Sequence, residues 1–167
     1  MNFKDIKLIV CDVDGCLTDG TFYVSDNGVI TKGFNTKDFW GLSKIQEEGI
    51  RVLLLTGSTD KVIIEKVAQL PKSCSDKMAV KNSVFNKLEY LEDYLDDLGL
   101  KWSEVAYIGD GENDLPSMKK SGFTACPSDA LSMIKYESIY VSHLPGGSGA
   151  VCDIIMYIIN KRAVEMG

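Results

Sequence analysis

The segment CDVDGCLTDG, residues 11–20, sets Asp12 and Asp14 one residue apart at the end of an apolar run, with glycines following. Like charges this close repel, so crowding them is tolerable only where something positive joins them. A hard divalent cation with oxygen ligands, Mg2+ first among them, is the natural partner. Two more segments offer matching groups: LLLTG, which ends in Thr56 and Gly57, and GDGEND, which carries Asp110, Asn113 and Asp114. Lys87 lies between them. These types suit phosphoryl transfer, which needs an in-line nucleophile and neutralisation of the equatorial oxygens.

In that chemistry Asp12 is the expected nucleophile, forming an aspartyl-phosphate. Asp14 would protonate the leaving alkoxide and then deprotonate the hydrolytic water. Residues i and i+2 share a strand face, so both can point at one substrate. Thr56 and the Gly57 amide would donate to phosphate oxygens, and Lys87 would add positive charge. Asp12 and Asp110 are the expected side-chain ligands of the cation, with Asp14 contributing its backbone carbonyl. Asn113 and Asp114 would orient the ion's surroundings from the loop after Asp110. Each piece alone has a blander reading. D-x-D is common, LLTG often only enters a turn, a single helix lysine is usually solvated, and GDGEND is rich in turn formers. The weight comes from finding all four together, in this order.

The elements that must position them follow from patterning. IKLIVCD and IRVLLLTG read as strands buried on both faces, and EVAYIGD as a third. TFYVSDNGVITKGF, with β-favouring residues on either side of DNG, reads as a hairpin. A helix is expected from about Asp38 to Glu48, ended by Gly49, and another over TDKVIIEKVAQL, stopped by Pro71. SVFNKLEYLEDYLDDLG has helical apolar spacing at Val84, Phe85, Leu88, Leu91, Leu95 and Leu98. Ser83 is its expected cap and Gly99 its end. DLPSMKKSG reads as a short helix with Pro116 in its first turn. FTACP and SIYVS read as strands around a helix near 129–135. The glycine-rich PGGSGA leads into a helix with Val151, Ile154, Ile155, Ile158 and Ile159 on its apolar face. Alternating strands and helices predict an α/β, Rossmann-like fold: a mostly parallel sheet, helices on both faces, a small β-hairpin insert and no large cap. Ligands in such folds bind outside the carboxyl ends of the strands, where Asp12, Asp14, Thr56, Gly57 and Asp110 all fall.

The 167 residues suit a single domain, residues 1–167, with a real core. A net charge of −6 argues against nucleic-acid binding. The N-terminal apolar run is too short for a signal peptide, and nothing approaches the roughly 20 apolar residues of a membrane span. Cysteines 11, 16, 74, 126 and 152 are odd in number and scattered, as expected of reduced thiols in a cytoplasmic protein. With one histidine, His143, and no paired cysteines, zinc is not expected. Trp40 and Trp102 read as packing residues, and EDYLDD as a solvated helix face.

The set resembles the haloacid dehalogenase superfamily of aspartate-dependent phosphatases. DVDGCLTDG matches its first motif, LLLTG its second, Lys87 its third and GDGEND its fourth. The resemblance implies the same roles for Asp12, Asp14, Asp110 and Mg2+. DGCLTDG, FNTKDFWGL, EVAYIGDGENDLP and GGSGA further resemble the capless subfamily of 3-deoxy-D-manno-octulosonate 8-phosphate phosphatase and of nonulosonate 9-phosphate phosphatases. That implies a phosphorylated sugar acid as substrate, with Asn35, Thr36, Lys37 and Asp38 beside it together with Gly57, Ser58 and Lys66. It also implies a homotetramer in which hairpins join and one subunit closes another's site.

The pattern departs from that subfamily where arginines are usual: Ser58, Lys66, Ser148 and Cys152 stand there instead. Arg grips a carboxylate bidentately and Lys does so less well, which weakens the expected recognition of octulosonate. Two other classes compete. One is a non-catalytic regulatory or oligomerisation domain, like the C-terminal domain of animal sialic acid cytidylyltransferases, which resembles this subfamily but lacks the first aspartate. The other is a receiver domain, whose acidic pair is usually adjacent rather than D-x-D.

Overall fold

In a computed structural model describing residues 2–167, six strands form one parallel sheet. In chain order the elements are β1 (Leu8–Cys11), β2 (Tyr23–Val24), β3 (Ile30–Thr31), α1 (Thr36–Glu47), β4 (Arg51–Leu55), α2 (Val62–Ala68), α3 (Lys72–Ser75) and β5 (Met78–Lys81). There follow α4 (Lys87–Leu98), β6 (Val105–Ile108), α5 (Leu115–Lys120), β7 (Phe123–Cys126), α6 (Ser132–Glu137), β8 (Tyr140–Val141) and α7 (Ala150–Met166). The sheet order is β5-β4-β1-β6-β7-β8, and β2 pairs only with β3, antiparallel.

Strand alternation explains the two-sided core. Ile9, Cys11, Val52, Leu54, Ala106 and Ile108 face one way, against Leu42 and Ile45 of α1 and Ile154 and Ile158 of α7. Leu8, Val10, Leu53, Leu55, Val105 and Tyr107 face the other, against Leu91 and Leu95 of α4, Met118 of α5 and Ile134 of α6. Both faces are therefore covered, as the unbroken apolar strands required. Among the described residues no helix is long and apolar enough to cross a membrane. All five cysteines are free thiols.

Three local expectations need correction. The fourth helix begins at Lys87, not Ser83: Asn86 is its cap, its side chain accepting from the Glu89 amide, while Ser83 has φ +59° in the left-handed region. The edge strand β5 and the short α3 had no counterpart in the patterning, because their residues are half-buried at most apart from Met78. The sixth helix starts at Ser132, three residues beyond the expected 129. The hairpin is present, turning through Ser25–Val29 with Gly28 at φ +81°.

Candidate active site

β1, β4 and β6 are adjacent, so their carboxyl ends deliver Asp12, Thr56 and Asp110 to one edge. A crevice of about 320 Å3 opens there, lined by Asp12, Asp14, Thr56, Gly57, Ser58, Asp110 and Asn113. The sheet order alone brings together residues nearly a hundred positions apart.

At its floor lies a buried charge cluster. Lys87, 1% exposed, reaches in from the first turn of α4. Its Nζ lies 2.9 Å from Asp12 Oδ1 and 2.7 Å from Asp114 Oδ1. Burial alone would pull the Lys87 ammonium down, but the charges of Asp12 and Asp114 outweigh it and hold it well above its ordinary value. Asp114 also accepts from Tyr107 Oη at 2.7 Å, and from the Asp110 and Gly111 amides at 3.1 Å each. Four donors fill the roughly four lone-pair sites of a carboxylate. Asp114 is thus an anchor that holds Lys87 and the Asp110 loop.

Asp12 Oδ1 accepts from Lys87 and, at 2.7 Å, from the Val13 amide. Burial, then the charge of Asp114, pushes the Asp12 carboxyl well up against the opposing pull of Lys87. The same two causes push Asp110 up to about 6. Carboxylate oxygens of Asp12, Asp110 and Asp114 come within 4.8 Å of one another. With Asp114 saturated, Asp12 and Asp110 are the pair short of positive charge. That excess of negative charge among oxygen donors fits a hard divalent cation.

Two glycines make the crevice possible. Gly15 has φ +86°, and a Cβ there would stand 2.0 Å from Asp110 Oδ2. A Cβ on Gly146 would stand 2.0 Å from the Gly15 carbonyl oxygen. The PGGSGA segment is thus a buttress under the Asp12–Asp14 loop, tied to it by the Gly147 amide donating to Cys16 O at 3.0 Å.

Asp14 is held from above. Thr18 and Thr56 hydroxyls lie 3.4 Å from its oxygens. Lys32, which the sequence reasoning missed, has its side chain 2% exposed and contacts both Asp14 oxygens, at 2.9 and 3.0 Å. The same Nζ reaches Asp60 Oδ2 at 2.6 Å and sits 4.4 Å from the centre of the Phe22 ring. Asp60, also missed, bonds Ser58 Oγ and the Val62 amide. Burial would raise its carboxyl, but the Lys32 and Ser58 hydrogen bonds outweigh it and hold it below the usual range. A signal existed: Ile30, Lys32 and Phe34 are spaced by two and line one cavity, so a lysine sits on the apolar face of the hairpin strand.

The other expected substrate residues are dispersed. Gly57 and Ser58 line the crevice, while Lys66 lines a neighbouring cavity of about 500 Å3 between the hairpin and α2. Asn35 caps α1, accepting from the Lys37 amide at 3.0 Å. Thr36 and Lys37 are exposed outside the crevice. Asp38 is fully buried and accepts from the Cys152 amide at 2.9 Å, so its carboxylate serves the start of α7. Asn113 lines the crevice and is exposed.

Comparison with known proteins bears on this geometry. Residues 41–122 match a family model described as haloacid dehalogenase-like hydrolase. The 3-deoxy-D-manno-octulosonate 8-phosphate phosphatase of Salmonella typhi is 33% identical over 161 residues, covering 95% of this chain and 83% of that one. The Moraxella catarrhalis 3-deoxy-D-manno-octulosonate 8-phosphate phosphatase, solved with magnesium, phosphate and KDO, superposes with a TM-score of 0.89 at 28% identity, covering 98% of this chain and 91% of that one. N-acylneuraminate cytidylyltransferase A of Danio rerio is 30% identical over 92% of this chain, but that match spans 35% of the cytidylyltransferase. By its match to the octulosonate phosphatases over most of both chains, and by its sheet order and acidic crevice, the chain belongs to the haloacid dehalogenase-like hydrolases.

Proposed function

We propose that the protein is a Mg2+-dependent phosphatase that hydrolyses a keto sugar acid phosphate, of the 3-deoxy-D-manno-octulosonate 8-phosphate or nonulosonate 9-phosphate type. The observation that carries this reading is the convergence of Asp12, Lys87 and Asp110 on one crevice at the strand ends. Both protein hydrogen bonds to Asp12 fall on Oδ1, which leaves Oδ2 to attack phosphorus in line. The new bond is Asp12 Oδ2–P, and the bond that breaks is P–O of the sugar. Asp14 gives the departing alkoxide its proton and then takes one from the attacking water. Thr56 and the Gly57 amide hold the equatorial oxygens, with Lys87 fixing Asp12 and lending charge. Asp12 and Asp110 with the Asp14 carbonyl would hold Mg2+, which would supply neutralisation of phosphoryl charge, and Asn113 and Asp114 would order its surroundings.

The sugar acid body would extend into the cavity beside Lys66, past Ser58. Residues 1–167 act as one catalytic domain in this reading. The setting that goes with this reading is the cytoplasm and lipopolysaccharide biosynthesis. Phe22, Tyr23, Val24, Val29 and Ile30 of the hairpin are exposed, which supports a homotetramer built on hairpin contacts. A monomeric mass in light scattering would sink that part.

The competing reading, a non-catalytic domain like that within the cytidylyltransferase, is disfavoured by the presence of Asp12, Asp14, Lys87 and Asp110 together. The test is phosphate release from octulosonate 8-phosphate, nonulosonate 9-phosphates and hexose phosphates, with and without Mg2+. Turnover should need Mg2+ and favour a keto sugar acid. Asp12→Asn should lose at least about 10⁴-fold with an unchanged circular dichroism spectrum. Retained activity in that variant would overturn the aspartyl-phosphate.

A further inference from the structure

The buried Lys32 cluster belongs to none of the four motifs, yet it is the only cationic side chain found within hydrogen-bond distance of Asp14 among the described residues. Its position is costly unless it does something. An ammonium whose side chain is 2% exposed has left water and is held by Asp14 and Asp60. It comes from the end of a two-stranded ribbon that pairs with no strand of the main sheet. Phe22, from the other side of the same ribbon, covers it and also lines the crevice.

We propose that Lys32 is a positioning residue: seated by the docked hairpin, it fixes the Asp14 carboxylate for the water-activating half of the reaction. The assignment rests on the phosphatase reading above. Two contacts from one ammonium to both Asp14 oxygens define the orientation of that carboxylate. The 3.4 Å hydroxyl contacts from Thr18 and Thr56 are at the limit of hydrogen bonding and define it poorly alone. Asp60, 2.6 Å away, in turn holds the ammonium, so Lys32 cannot follow Asp14 if it swings. The step served is hydrolysis of the aspartyl-phosphate. Water oxygen bonds to phosphorus, the P–O bond to Asp12 breaks, Asp14 takes the water proton, and the electron pair stays on the Asp12 carboxylate. Seating of the hairpin and competence of Asp14 are then one event.

The experiment uses p-nitrophenyl phosphate with Mg2+, whose leaving group needs no proton. Aspartyl-phosphate formation is then insensitive to Asp14, while its hydrolysis is not. In Lys32→Ala, rapid mixing should show release of about one nitrophenolate per site at a rate within about threefold of the wild-type protein. Steady turnover should follow at least tenfold more slowly, as general-base effects allow. Acid quenching should trap phosphate on the protein, and n-propylammonium, which replaces the missing stem and charge, should restore the steady phase. Lys32→Met, which keeps the stem packed under Phe22, should show the same burst.

Steady turnover within twofold of wild type would overturn the assignment. So would equal loss of both phases, or loss of the circular dichroism spectrum in both variants, each of which marks a structural lysine. A wild-type protein that hydrolyses no phosphomonoester would instead sink the phosphatase reading.

Discussion

Two lysines meet two carboxylates each in this molecule, and the surroundings of the pairs differ. Lys87 joins Asp12 and Asp114 inside the sheet's carboxyl edge, with Asp114 locked by a tyrosine and two amides. Lys32 joins Asp14 and Asp60 from a detached ribbon, and the Asp14 side chain is 20% exposed. The first cluster is part of the core, and removing its cation leaves buried charge behind. The second is a docking contact, and removing its cation frees a hairpin and a side chain. Identical side-chain chemistry therefore serves rigidity of the core in one place and the seating of a docked ribbon in the other.

The sharpest way to break this comparison is to remove each ammonium in turn. Lys87→Met leaves Asp12 and Asp114 facing each other without a cation. Stranding a buried partner costs about 3–5 kcal/mol, which for a chain of this size lowers Tm by roughly 6–20 °C. Phosphatase activity should vanish with it. Lys32→Met should lower Tm by less than half as much, because water can reach Asp14 once the ammonium is gone. Equal losses in metal-free calorimetry would mean the hairpin is as much core as α4.

Next in size are the anions. Asp114→Asn replaces an acceptor of four donors by an amide with one oxygen, so at least one buried donor is left facing a second donor. A loss of about 2–3 kcal/mol is expected in urea unfolding. Asp60→Asn keeps an oxygen for Lys32 and should cost about 1 kcal/mol or less. The reverse order would move the rigid cluster to the hairpin.

The rigid cluster was largely legible in the sequence and the docking one was not. Asp12, Thr56 and Asp110 each follow an unbroken apolar run. Parallel strands must end on the same edge, so the topology gathers the residues without any distance being known. Lys87 was legible through its place between LLLTG and GDGEND as the third motif, although the cap of its helix was misplaced. Val84 and Phe85 continue the apolar pattern backwards, yet Phe85 is 78% exposed and Asn86 caps the start of the helix. Strand β5, MAVK, was hidden because it is a partly exposed edge between charged residues. For Lys32 the alternation with Ile30 and Phe34 marks the side of the ribbon it lies on, but its partners Asp14 and Asp60 depend on how the ribbon folds back, which no local pattern encodes. Asp38 points the same way: its donor partner, the Cys152 amide, lies 114 residues on.

The smallest effect distinguishes the clusters by sign. Asp110, in the rigid crevice, is raised to about 6, first by burial and then by Asp114. A carboxyl raised on folding contributes stability that is full below its unfolded value and lost as pH rises through the folded one. Metal-free protein should therefore lose on the order of 1 kcal/mol between about pH 4 and 6 from this group, after discounting for its solvent contact. Asp60, under Lys32, is lowered, so its contribution is present above the unfolded value and lost as pH falls through the folded one. Thermal melts across pH 3–7 of wild type, Asp110→Asn and Asp60→Asn separate the two. Asp110→Asn should flatten the decline toward pH 6, and Asp60→Asn the decline on the acid side. Millimolar Mg2+ should remove the first slope and leave the second, because the cation competes with the proton on Asp110 and does not touch Asp60. If Mg2+ flattened the acid-side slope instead, the ion would be sitting at the hairpin lysine's carboxylates, and the division of labour between the clusters would have to be reversed.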